Sequence, residues 1–76
     1  MNDLEHFQAL QRELVNAGFA TTFEARRERN EAVFSLTVTL DDGDPAQVAA
    51  LADITTRRGF AFTVEDNHAA LSLLAA

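Results

Sequence analysis

The chain contains no cysteine, which excludes disulfide staples and thiolate metal sites. Lysine is absent as well, so all six cationic side chains are arginine. The only aromatic residue type is phenylalanine, present six times. The two histidines, His6 and His68, are too far apart in sequence to form a ligand pair. There is no glycine-rich phosphate loop and no His-x-x-x-His pair. Ser35 and Ser72 are the only serines, and neither has a histidine spaced to activate it. No apolar run approaches the roughly 20 residues that a membrane-crossing helix needs. The opening Met-Asn-Asp-Leu-Glu-His lacks the basic and apolar stretches of a leader, so a cytoplasmic protein is expected.

These absences narrow how so short a chain is stabilised. A domain of 76 residues buries only about 60% of its unfolded surface. Small domains supplement that margin with disulfides, a metal or a partner chain. With no disulfide and no ligand cluster, self-association is the remaining supplement. Apolar residues make up 47% of the chain, the balance of a folded globular protein. The formal net charge of −6 disfavours non-specific nucleic-acid binding, which depends on neutralising phosphates with cations.

What the sequence does contain is a repeat. Gly18-Phe19-Ala20-Thr21-Thr22-Phe23-Glu24 returns as Gly59-Phe60-Ala61-Phe62-Thr63-Val64-Glu65, an offset of 41 residues. The same offset carries Asp3 onto Asp44, Phe7 onto Val48 and Leu10 onto Leu51. Self-similarity of this kind fixes architecture before individual residues do. The repeats span about 3–40 and 44–76, within one domain covering 1–76.

Each repeat reads as a helix followed by two strands. Leu4, Phe7, Leu10 and Leu14 form an apolar stripe at helical spacing, with Val15 on its edge. Asp3 is the expected N-cap, and Gly18 ends the helix near Ala17. Period-2 alternation then predicts strands over 19–26 and 32–40. Pairing Phe23 with Phe34, and Thr21 with Leu36, keeps the larger apolar groups on one face. Asp41-Asp42-Gly43-Asp44-Pro45 is a turn into the second helix, capped by Asp44, with Pro45 at its first position. Val48, Leu51, Ile54 and Thr55 form its inner face. It ends at Arg58 and Gly59, its arginines suiting the negative end of the helix dipole. The last strands, Phe60 to Glu65 and His68 to about Ala75, are joined at Asp66-Asn67. That turn pairs Val64 with Ala69, Phe62 with Leu71 and Phe60 with Leu73.

The fold class is therefore α+β: an αββαββ two-repeat sandwich with one four-stranded antiparallel sheet and both helices on one face. Moving the first strand of a ferredoxin-like βαββαβ chain to its end produces this element order. A circularly permuted ferredoxin-like topology implies sheet order 1-2-4-3, with Glu24 and Glu65 on opposite edge strands.

All six phenylalanines fall on the inward face. The outward face carries no aromatic platform for stacking bases and almost no charge at its centre, which suits close contact with another protein surface. Val33, Ser35, Thr37, Ser72 and Leu74 are the expected interface, with a second copy of the chain or an unidentified protein as partner. The arginines form two groups: Arg26, Arg27 and Arg29 near the tip of the first hairpin, and Arg57 and Arg58 at the end of the second helix. Guanidinium forks recognise carboxylates and phosphates. Glu24, Glu28 and Glu31 are interleaved with the first group and nearly neutralise it. The reading that follows is a non-enzymatic, homodimeric interaction module with no cofactor and no metal. The alternative is a regulatory domain that binds an anionic ligand or nucleic acid through the arginines. A small enzyme is the third reading, and it would need a pocket built by a dimer.

Overall fold

The computed structural model describes residues 2–41 and 44–74. Of the positions anticipated above, Asp42, Gly43 and Ala75 lie outside the described residues. Six elements follow one another: α1 (Asp3–Asn16), β1 (Ala20–Glu28), β2 (Glu31–Thr39), α2 (Pro45–Arg57), β3 (Phe60–Glu65) and β4 (His68–Leu73). The strands form one antiparallel sheet in the order β1-β2-β4-β3.

Helix α1 starts one residue earlier than Asp3 as a cap implies. Asn2 is the N-cap, with extended backbone, and its Oδ1 accepts from the Glu5 N–H at 2.9 Å. Asp3 is the first helical residue and joins Glu5 in the first turn, where carboxylates meet the positive end of the dipole. At the other end Phe19 N–H donates to the Leu14 carbonyl and Gly18 N–H to that of Val15, both at 3.0 Å. These two bonds define a Schellman stop, which needs positive φ at the residue after the cap. Gly18 supplies it at +96°. Phe19 and Leu14, bridged by the motif, are both buried.

Helix α2 follows its sequence signals. Asp44 caps it by accepting from the Ala46 N–H at 3.0 Å, and Pro45 opens it. Gly59, at φ +76°, turns the chain into β3.

The second hairpin has the expected register, with Val64 opposite Ala69, Phe62 opposite Leu71 and Phe60 opposite Leu73. The first is shifted by two residues. Phe23 faces Leu36, Ala25 faces Phe34, and Thr21 faces Val38. The cause is a two-residue turn at Arg29-Asn30, both at positive φ (50° and 66°), the backbone of a type I′ turn. An even shift leaves every side chain on its expected face, so the core is unaffected. Phe23 and Phe34 still meet, diagonally, with rings stacked at 6.0 Å.

One core lies between the sheet and the helices. Phe7, Leu10 and Leu14 of α1 and Leu51 and Ile54 of α2 pack against Leu36, Val38, Phe60, Ala69 and Leu71 of the strands. Register places all of those strand residues on the same sheet face, so both helices cover that face. Phe7 is the hub. Its ring lies 5.1 Å from Phe60, edge-on, and about 6 Å from Phe23 and Phe34. Val48, expected on the inner face of α2, lies beyond the rim of the core and is 37% exposed.

The candidate interaction surface

Alternation along the strands sends half of their side chains away from the helices. Across the sheet the outward rows are Glu24 beside Ser35; Thr22, Thr37, Ala70 and Thr63; and Ala20, Thr39, His68 and Glu65. The centre of this face is thus threonine, serine and alanine. Its charges stand at the two ends: Glu24, Arg26, Glu28 and Glu31 near the first turn, and Glu65 with His68 near the second.

Val33, Ser35 and Thr37 lie on this face of β2, and Ser72 on β4. Val33 and Thr37 are half-buried, whereas Ser35 and Ser72 are exposed. Leu74 follows the end of β4, and its N–H donates to the Gly59 carbonyl at 2.9 Å. That bond continues the β3–β4 ladder by one step, so Leu74 takes the outward position after Ser72. Its side chain is 56% exposed.

Three of the five arginines singled out by their spacing meet carboxylates of their own chain. Arg57 and Arg58 both close on Glu13 of α1, Arg57 Nη2 at 2.9 Å and Arg58 Nε at 2.5 Å from its carboxylate oxygens. Arg57 also reaches Asp53 at 3.3 Å. The hydrogen bond from Arg58, joined by that from Arg57, holds the Glu13 carboxyl below the usual glutamate range. This second group therefore ties α2 to α1. Nothing in the local sequence indicates Glu13 as its partner. In the first group, alternation separates neighbours: Arg26 points outward and pairs with Glu28 at 3.2 Å, while Arg27 lies on the helix side of the sheet. Arg29 occupies the turn. Among the described residues neither Arg27 nor Arg29 forms an ion pair.

A feature not anticipated from the sequence is an open groove of about 360 Å³ between the start of α2 and the end of β3. Leu40, Pro45, Val48 and Val64 supply its apolar part, and Asp41, Asp44 and Asp66 its polar part. Two of those carboxylates already have roles within the chain. Asp44 caps α2, and Asp41 accepts from the Gln47 amide at 3.2 Å. Among the described residues no group of three or more His, Asp or Glu side chains is placed to hold a metal ion. No described helix is long and apolar enough to cross a membrane.

Comparison with family models, curated proteins and solved structures returned no match to this chain.

Proposed function

We propose that this chain is a non-enzymatic protein-interaction module whose outward sheet face docks a second copy of itself. The observation that carries this reading is the composition of that face. Its centre is uncharged and made of small side chains, and among the described residues Leu74, 56% exposed, is its one exposed large apolar group. A twofold contact places the same patch on both partners, and a patch of threonine, serine and alanine permits close backbone approach without burying an unpaired charge. Val33, Ser35, Thr37, Ser72 and Leu74 form the contact. On this reading the module is two αββ repeats in permuted ferredoxin-like order. The strand order and the equivalent positive-φ stops at Gly18 and Gly59 support it.

Anion recognition through arginine is the weaker alternative, because Arg26, Arg57 and Arg58 already meet carboxylates of their own chain. That leaves Arg27 and Arg29 to hold the ligand.

The test is the mass of the assembly by light scattering at high micromolar concentration. Leu74→Glu sets two carboxylates against an apolar contact and should halve the mass. A monomeric wild type, or a mass that the substitution leaves unchanged, overturns the reading.

A further inference from the structure

We propose that the free edge of β1 pairs, antiparallel and centred on Ala25, with the same edge of a second copy, so that one sheet runs through the twofold axis. This contact is separate from the outward face, and three features of the first hairpin converge on it.

The first is position. Among the described residues, strand β1 has β2 on one side and no strand on the other. It runs for 9 residues, against 6 for β3 at the opposite edge. Strand β4 stays with β2 only over Leu36–Thr39, so toward the turn β1 and β2 form a two-stranded ribbon. Isolated two-stranded ribbons are marginal in water and gain stability from another strand.

The second is backbone direction. In a two-residue turn the flanking pair exchanges hydrogen bonds, here Glu28 and Glu31. Hydrogen-bonded and non-bonded pairs then alternate along the hairpin. Glu28, Arg26 and Glu24 thus aim their backbone groups at β2, while Arg27, Ala25, Phe23 and Thr21 aim theirs outward. An incoming strand meets a regular row of donors and acceptors centred near Ala25.

The third is charge. Centring the pair on Ala25 places Glu24 opposite Arg26 of the second copy, twice by symmetry, in competition with the exposed pair that Arg26 makes with Glu28 of its own chain. These are non-hydrogen-bonded positions, where side chains approach most closely. On the helix side the same register brings Arg27, which has no ion-pair partner in its own chain, against the half-buried Phe23 of the second copy. An arginine over a phenylalanine face is a favourable contact. The methyl of Ala25 leaves the axis open. Neighbouring registers lose this match: centring on Glu24 opposes two glutamates, centring on Arg26 opposes two arginines, centring on Phe23 pairs no opposite charges, and centring on Arg27 pairs Arg26 with Glu28 but sets two copies of Arg27 against each other at the axis. Charges on an edge strand ordinarily guard against pairing. Here only the register centred on Ala25 pairs opposite charges without also opposing like ones, which is how a sequence specifies a partner strand.

The test is sedimentation at low salt of the intact chain and its variants, with circular dichroism to confirm folding. Arg26→Glu should weaken association about tenfold or more, since opposed like charges act twice across the axis. Adding Glu24→Arg should restore it to within about threefold, because the pair is re-formed with its signs exchanged. Ala25→Pro removes an outward N–H at the axis without removing a bond to β2 and should abolish the contact. The proposal is overturned if the double variant associates no better than the single one, or if Ala25→Pro leaves the mass unchanged. In a Leu74→Glu background an edge-paired dimer should remain and dissolve on Arg26→Glu. If Leu74→Glu alone gives a monomer, the edge fails and the face stands; if only Arg26→Glu halves the mass, the reverse holds.

Discussion

Among the described residues Thr55 is the one buried polar side chain of the core, with no exposure to solvent. Its Oγ1 donates to the Leu51 carbonyl at 2.8 Å and approaches that of Ala52 at 3.2 Å. Both carbonyls belong to the same helix and also serve its backbone ladder, so deleting the hydroxyl strands no buried acceptor. Thr55→Val therefore exchanges a hydrogen bond worth about 1 kcal/mol net for a buried methyl worth about 0.8 kcal/mol. Valine and threonine have similar helix propensities. The expected change is zero to within about 0.5 kcal/mol. Thr55→Ser keeps the hydroxyl and removes the methyl from a fully enclosed position, which costs about 1 kcal/mol through lost burial and residual space. In a domain of this size that lowers Tm by roughly 4–8 °C. Urea and thermal unfolding of the three proteins should rank wild type and Thr55→Val together, with Thr55→Ser below. A valine variant less stable than the serine variant would show that the hydroxyl matters more than the packing, and would refute the reasoning.

Two further outcomes follow from the helix ends. Neither Gly18 nor Gly59 has a heavy atom within 4 Å of where a Cβ would stand, so an alanine there meets only backbone strain; each substitution should cost about 1–2 kcal/mol. Gly18 should cost more, because its φ of +96° lies farther from the left-handed minimum than the +76° of Gly59, and equal losses in chemical denaturation would contradict this. Glu13 is held below the usual glutamate range by Arg58 and Arg57, so its contribution is complete above the unfolded-state pKa and disappears as pH falls through the lower folded value. Wild type should lose more stability than Glu13→Gln across that acid window, and parallel pH–stability curves for the two would show that the clamp contributes nothing.

The two hairpins show what the sequence could and could not convey. Asp66-Asn67 announces a turn, because both residues tolerate the backbone it requires, and the register of β3 with β4 followed from it. Arg29-Asn30 announces less. Arginine seldom adopts positive φ, and alternation runs without interruption on both sides, so registers differing by two residues satisfy the same pattern. The register of β1 with β2 was missed for that reason, while its faces were not. The N-cap was misplaced by one residue because Asn2 and Asp3 are both good caps in adjacent positions. The roles of Arg57 and Arg58 were hidden for a different reason. Their partner, Glu13, lies 44 and 45 positions away, and local patterning carries no information at that separation. Those arginines were thus open to an anion-binding reading that their geometry no longer favours.

The order of the strands also bears on how the chain reaches this state. Most pairing in the sheet is local, within one hairpin or the other. Strand pairing between the two halves covers four residue pairs, from Leu36–Leu71 to Thr39–His68. Each hairpin closes a short loop and can form on the microsecond scale, whereas the β2–β4 seam requires β2, α2 and β3 to be in place. The seam should then form late, with its amides becoming protected from hydrogen exchange after those of the hairpins. Separating the halves in the native state would also open the core shared through Phe7 and Phe60 and break the pairs of Glu13 with Arg57 and Arg58. The two halves should therefore open together, and amides of the seam should exchange at a free energy close to that of global unfolding.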